Sequence, residues 1–274
     1  MIGVSCSSVG LGLLIILVIL CTVSGAARYR AKYVLYIFCS FLFATAPIPF
    51  MLLRPRDWRN ALIPAWLITQ FSRMIGCHFI FTGKENIVKD SGAVVLINHQ
   101  SCLDVIVLGE LWPVLERCTV IAKNAVLYLG SYGLASWLWG TIFIDRKNSN
   151  AQNKVNSTIE IIKKRRARVL FFPEGTRHSN NTLMPFKKGA FHVAIDSQIP
   201  IQPVVVSKYY YINHKLKRFD FGVNYISILP PISTEGKTKK DIPSLMEQAY
   251  QCMNEEFKKK TQEAIENFMV DKKQ

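Results

Sequence analysis

AVVLINHQSCLD, residues 93–104, decides the fold. Its first five residues are an unbroken apolar run, the pattern of a strand covered on both faces. The run ends in Asn-His-Gln. On one continuous helix, side chains five positions apart stand about 140° apart around the axis and cannot face each other. A strand ending near Asn98 and a helix starting around Ser101 remove that obstacle: His99 falls in the turn, and Asp104, in the first helical turn, can reach back to it. A carboxylate bonded to one ring nitrogen fixes the tautomer and leaves the other nitrogen as a base. The pair also has a plain structural reading, in which Asp104 complements the helix N-terminus and His99 packs in the turn.

Working outward, CTVIA (118–122), TIFID (141–145), RVLFF (168–172) and IPIQPVVV (199–206) repeat the short β-branched run, with stretches of helical composition between them. Such alternation predicts an α/β domain with a largely buried sheet. With no tandem repeat and no Gly/Ser linker, residues 83–274 read as one compact domain. Its last element is an amphipathic helix over residues 241–269, with Asp241 as N-cap and Pro243 in the first turn.

Toward the N-terminus the chain turns apolar. Residues 1–27 carry no charged side chain, and residues 9–21 are almost purely aliphatic, as a membrane helix requires. VSGAA (23–27) offers small residues to a signal peptidase, but no Lys or Arg precedes the run, whereas Arg28, Arg30 and Lys32 follow it. That order favours an uncleaved anchor with its C-terminal end in the cytoplasm. A second uncharged run, residues 33–53, contains Pro47 and Pro49 and is flanked by Arg54, Arg56 and Arg59. It either dips into one leaflet and returns, or spans fully. Residues 1–60 are thus expected to form a membrane anchor of one or two hydrophobic helices. Residues 61–82 are expected to form an interfacial helix carrying Trp66, Phe71 and His78, the last without an acidic partner.

The 274 residues include 34 Lys+Arg against 19 Asp+Glu, a formal net charge of +15, so partners are expected to be anionic. Nucleic acid calls for basic residues interleaved with exposed aromatics and no membrane segment, so residues 1–53 argue against it and for lipid. Seven scattered cysteines without a C-x-x-C pair make neither a disulfide framework nor a zinc site, and no pair of the five histidines has metal-binding spacing.

Two further stretches place polar residues after apolar runs. In FFPEGTRHS (171–179) a strand enters a Pro-Glu-Gly-Thr-Arg turn, where backbone donors and a guanidinium together suit a phosphate; a surface turn with Glu174 paired to Arg177 is the bland alternative. WGTIFIDR (139–146) ends a strand in Asp145 and Arg146, at the kind of edge where α/β sheets collect ligands. The run KKRRAR (163–168) reads as the solvated end of a helix, or as a surface drawn to anionic headgroups. His178, His192 and His214 have no carboxylate at the spacing seen for His99.

In order and spacing, NHQSCLD, GTIFIDR, FPEGTR and IPIQPV resemble the four motifs of the glycerolipid acyltransferases, and the resemblance, to the lysophosphatidic acid acyltransferases in particular, covers residues 61–233. Cys102 stands where members often carry serine. The resemblance implies a glycerol-3-phosphate acyltransferase-like mixed sheet flanked by helices, with an N-terminal membrane-embedded helical segment, in the endoplasmic reticulum membrane. It implies acyl transfer from acyl-CoA, as co-substrate, to the sn-2 hydroxyl of lysophosphatidic acid, with membrane lipid as a partner and neither cofactor nor metal. His99 would be the general base and Asp104 its orienting carboxylate. Arg177, Lys123 and Arg146 would hold the acceptor phosphate, with Lys187 or Lys188 as weaker candidates. Glu174, Gly175 and Thr176 would shape the phosphate turn, and Asn98 would position the loop or the developing oxyanion. AVLYLGSYGLASWLW (125–139) would border an acyl channel or press into the bilayer. Glycerol-3-phosphate or another lysophospholipid as acceptor, and a non-catalytic lysophospholipid-binding protein, are the competing readings.

Overall fold

A computed structural model describes residues 22, 24–144, 159 and 162–271. The elements, in chain order, are α1 (Gly25–Thr45), α2 (Ile48–Met51), α3 (Leu62–Ile75), β1 (Cys77–Thr82), β2 (Ala93–Ile97), α4 (Asp104–Leu115), β3 (Cys118–Lys123), α5 (Ser131–Leu138), β4 (Ile142–Ile144), β5 (Arg168–Phe171), α6 (Gly189–Ser197), β6 (Ile201–Val206), β7 (Ile212–Asn213), β8 (Arg218–Phe219), β9 (Gly222–Ile228) and α7 (Ile242–Asp271).

Seven strands form one sheet in the order β1-β9-β6-β2-β5-β3-β4. All neighbours are parallel except β6 and β9, so the sheet is mixed and helix-flanked, as expected. β2 sits at its centre, every residue buried, and its alternation feeds two cores. Val94 and Leu96 pack with Phe191 and Ala194 of α6 and with Leu245, Ala249, Met253 and Phe257 of α7. Val95 and Ile97 pack on the other face with Val107, Leu111 and Leu115 of α4. The four-residue spacing along α7 is the stripe that makes the helix amphipathic. Just ahead of it, Thr238 caps a 3-10 turn, Lys239–Asp241, and the Asp241 carboxylate, immediately before the first helical residue Ile242, accepts from the Thr238 N–H and hydroxyl to close a capping box.

The expected helix over residues 61–82 divides. α3 ends at Gly76, which takes a left-handed conformation (φ +98°), and residues 77–82 become the edge strand β1. β1 pairs with β9, residues 222–228, a partner far along the chain. His78 therefore lies on a strand.

The N-terminal segment also differs in its break points. The run at residues 9–21 lies outside the described residues. α1 already begins at Gly25, capped by the Ser24 hydroxyl, so Arg28, Arg30 and Lys32 are helical rather than a linker between two apolar runs. The prolines end this helix, as their missing N–H groups require: the chain turns at Ala46–Pro47 into the single turn α2. Among the described residues, the segment Gly25–Met51 is the one long and apolar enough to cross a membrane. Tyr36 and Cys39 pack it against Ile68 and Phe71 of α3, Leu103 just ahead of α4 and Ile106 of α4. Its opposite side stays bare: Val34, Phe38, Phe50 and Leu53 are 62–80% exposed, alongside Trp66 and Met74 of α3.

Candidate active site

β2 and α4 are joined by residues 98–103, and this turn holds the dyad. Asp104 is the first residue of α4 and 2% exposed. Its Oδ2 accepts from His99 Nδ1 at 2.7 Å and from the backbone N–H groups of Gln100 (2.7 Å) and Ser101 (3.0 Å). Its Oδ1 accepts from the Tyr209 hydroxyl at 2.9 Å. Four donors converge on one buried carboxylate, compensating its desolvation. Because a carboxylate only accepts, Nδ1 of His99 donates, and in the neutral ring Nε2 is left as an acceptor. The imidazole side chain is 21% exposed and stacks on Phe172, ring centroids 4.1 Å apart.

The backbone of His99 is held as firmly as its ring. Its N–H donates to Glu174 Oε1 (2.8 Å), while its carbonyl accepts from the His178 N–H (3.3 Å). Glu174 Oε2 accepts from Met184 N–H at 2.7 Å and from His178 Nε2. Glu174 therefore neither pairs with Arg177 nor faces a phosphate: its carboxylate is buried and clamps the histidine turn, a correction to its expected place in the phosphate turn. A carboxylate turned outward there would repel the anion. Asn98 donates to the Val206 carbonyl through its Nδ2 (3.0 Å) and accepts from the Val206 N–H at its Oδ1 (2.7 Å), tying β2 to β6 and holding the loop.

β5 lies between β2 and β3, so the parallel ends of all three strands bring His99, the turn at residues 173–177 and Lys123 to one edge of the sheet. Gly175 (φ +69°), Thr176 and Arg177 are exposed there. Lys187 crosses the turn so closely that a Cβ on Gly175 would lie 2.5 Å from its Nζ. Arg177, Lys123 and Lys187 form no ion pair among the described residues. Arg146 lies outside the described residues. Lys188 sits beside Lys187 at the N-cap of α6. Among the described residues no group of three or more His, Cys, Asp or Glu is placed to hold a metal.

Behind this edge an apolar cavity of about 300 Å³ runs between α1, α3, α4, β3 and α5. Val105 and Ala122, neighbours in sequence of Asp104 and Lys123, line it together with Ser136, Trp139 and Thr141. The sequence stretch 125–139 thus lines the cavity in part, through Val126, Leu129, Tyr132, Ser136 and Trp139, while Tyr128 is 81% exposed.

Sequence reasoning missed two members of the site. His178 has a carboxylate four positions back, in Glu174, a spacing different from the one sought. Tyr209 meets Asp104 across 105 residues, and no local signal marks that contact.

Comparison with known proteins follows the same lines. The acyltransferase family model matches residues 78–207. Human 1-acyl-sn-glycerol-3-phosphate acyltransferase alpha is 37% identical over 232 residues, covering 84% of this chain and 81% of that protein. The human beta protein is 36% identical over 250 residues, 89% of this chain and 88% of its own length. The crystal structure of the 1-acyl-sn-glycerophosphate (LPA) acyltransferase PlsC from Thermotoga maritima superposes with a TM-score of 0.60 at 20% identity, over 84% of this chain and 97% of that one, a likeness of fold.

Proposed function

The chain belongs to the 1-acyl-sn-glycerol-3-phosphate acyltransferase family, and from that premise we propose that it moves an acyl group from acyl-CoA to the sn-2 hydroxyl of 1-acylglycerol-3-phosphate, giving phosphatidic acid and CoA. The observation that carries the reading is the His99–Asp104 bond, with Nε2 making no hydrogen bond among the described residues, at the sheet edge that also carries Arg177 and Lys123. A hydroxyl is a weak nucleophile until its proton is removed. His99 Nε2 takes that proton as the hydroxyl oxygen bonds to the thioester carbonyl carbon. Collapse of the tetrahedral intermediate breaks the C–S bond, and the departing CoA thiolate recovers the proton from Nε2. Asp104 fixes the tautomer and steadies the transient imidazolium, so no acyl-enzyme is required.

Arg177 is the first partner for the acceptor phosphate, through its planar fork, with Lys123 and Lys187 as point charges, Arg146 as a further cation, and Gly175 and Thr176 offering the turn. The apolar cavity takes the acyl chain. The bare face of α1, α2 and α3 sits in the membrane, the endoplasmic reticulum membrane being the expected one, so that both lipid substrates enter laterally. No cofactor beyond the co-substrate is assigned.

The direct test is transfer of labelled acyl groups from acyl-CoA to lysophosphatidic acid by the purified full-length protein, beside a folded His99→Ala variant. Product from the parent and its collapse in the variant support the scheme. A fully active His99→Ala protein sinks the assignment of the base, and a parent that binds lysophosphatidic acid without making product favours a binding role.

A further inference from the structure

At the opposite edge of the sheet lies a second cavity, of about 360 Å³, where β3 and β5 begin rather than end. It lies at Cys118 and Thr119, and Lys123 is five residues further along β3, roughly 16 Å away at the strand rise. Arg56, Arg117 and Arg165 line it together. Arg165 Nη1 donates to the Arg56 carbonyl at 3.3 Å, which ties the Arg165 guanidinium to the Arg56 backbone. Burial, and then the nearby Arg165 charge, lower the basicity of Arg56 below its ordinary value. The one acidic lining residue, Asp57, is already engaged by the N–H (2.9 Å) and Nη1 (3.2 Å) of Arg59. Glu116 is exposed and is not among the lining residues.

Part of the run at residues 163–168 belongs here too, and it is not all solvated helix end. Arg168 opens β5 at 6% exposure, giving its guanidinium to the carbonyls of Val88 and Glu116 while its Nε stays buried without a partner among the described residues. It adds a fourth positive charge at this end of the sheet. Arg56 and Arg117 of the lining, with neighbouring Glu116 and Arg166, hold left-handed backbone conformations (φ 62°, 42°, 53° and 47°), which L residues adopt at a cost.

We propose that Arg56, Arg117 and Arg165 form a second anion site, separate from the catalytic edge, that binds the phosphate of an anionic membrane phospholipid. Several guanidinium forks around a cavity without a free carboxylate suit a tetrahedral oxyanion, which accepts from planar donors in pairs. The source follows from position. Leu53, three residues before Arg56, is 80% exposed and Leu52 57%, closing the bare apolar face, and Trp58 and Trp139 line the cavity at the level where indoles and arginines meet headgroups. That choice of source rests on the membrane reading above; the phosphate chemistry does not.

Arginine-specific modification by phenylglyoxal, read residue by residue by mass spectrometry, tests this without reference to catalysis. The full-length protein is held in phosphatidylcholine nanodiscs, alone, with a minority of phosphatidylglycerol, or with millimolar inorganic phosphate. Phosphatidylglycerol is expected to slow modification of Arg56, Arg117 and Arg165 together, by about tenfold when lipid exceeds its dissociation constant tenfold. Arg73, which also borders the apolar face, should keep its rate. Protection by inorganic phosphate with phosphatidylglycerol inert retains the anion site and transfers it to a soluble ligand. No protection, or equal protection of Arg73, overturns the proposal. In Arg117→Gln, lipid protection of Arg56 and Arg165 should weaken together; unchanged protection there shows that the three do not share a ligand.

Discussion

Tyr209 and Asp104 share a 2.9 Å hydrogen bond across 105 residues of chain, on the carboxylate oxygen that His99 does not use. Burial, then the Asp104 charge, hold the Tyr209 phenol well above its ordinary value, so it remains a donor at neutral pH. Tyr209→Phe removes that donor and keeps the ring. A hydrogen bond to a charged group contributes about 1.5–3 kcal/mol, so a comparable loss of stability is expected. If the bond also keeps Asp104 aimed at Nδ1, kcat should fall about tenfold, or about 1.4 kcal/mol, at unchanged KM. Steady-state kinetics on the folded variant, beside its melting curve, separate the two effects; unchanged kcat would confine Tyr209 to packing.

Removal of the dyad is expected to be far more severe. His99→Ala and Asp104→Asn should each lower kcat by roughly 10²–10⁴, the range for a positioned proton acceptor. Asp104→Asn turns a group that accepts from four donors into one with a single acceptor oxygen, so it should also melt earlier than His99→Ala. The order of the two melting temperatures checks the network, and the transfer assay checks the base.

Arg177→Gln should act on binding instead. Loss of about 1.5–3 kcal/mol of charge-assisted bonding predicts a rise of roughly ten- to a hundredfold in KM for lysophosphatidic acid. Gly175→Ala should show a weaker form of the same defect. Its φ of +69° strains any L residue, and its Cβ would displace Lys187. A selective fall in kcat with KM intact, in either variant, would move the phosphate elsewhere.

The site was legible where its contacts are local. His99 and Asp104 are five residues apart and are bounded by an unmistakable apolar strand, so the turn between them could be reasoned out from helix geometry alone. Tyr209, by contrast, reaches Asp104 only because β6 lies beside β2. Glu174 was misplaced because an exposed turn and a buried clamp share the same five residues, and only the fold shows which side chain points in. β1 was absorbed into the preceding helix because CHFIFT continues its apolar run, and its partner β9 carries Asn224, buried and bonded to Tyr211 and Ser207. Such a strand carries polar residues that a hydrophobicity pattern reads as loop.

The entry to α7 predicts a pH dependence of stability. Asp241 is held below its ordinary value, chiefly by the Thr238 backbone N–H and then by its hydroxyl. A carboxylate depressed in the folded state contributes stability above its unfolded value, and that contribution is lost as pH falls through the folded one. Asp241→Asn should therefore melt below the parent near neutral pH, with the gap closing in acid. Thr238→Ala should cost about 0.5–2 kcal/mol, as N-cap losses do. Melting curves across the acid range decide it: a gap that persists in acid would mean that the carboxylate charge is not what stabilises the cap.

The cavity behind the dyad should govern acyl length, and Ser136 is the place to test this. Ser136 is 3% exposed, lines the cavity and has its carbonyl bonded to the N–H of Thr141, the residue before Ile142, which pairs with Ile121 two residues short of Lys123 on β3. Its hydroxyl makes no hydrogen bond among the described residues, so an apolar replacement leaves no partner unsatisfied. Ser136→Leu shortens the space available to a chain that enters past Val105 and Ala122. Overpacking is expected to lower stability by about 1–3 kcal/mol, which would reduce the amount of active enzyme. The ratio of kcat/KM between long and short acyl donors is independent of that amount. Excluding the last methylenes from a hydrophobic site is worth about 1–3 kcal/mol, so the long-chain to short-chain ratio should fall by roughly 10- to 200-fold. An unchanged ratio in a folded variant would mean that the acyl chain does not occupy this cavity.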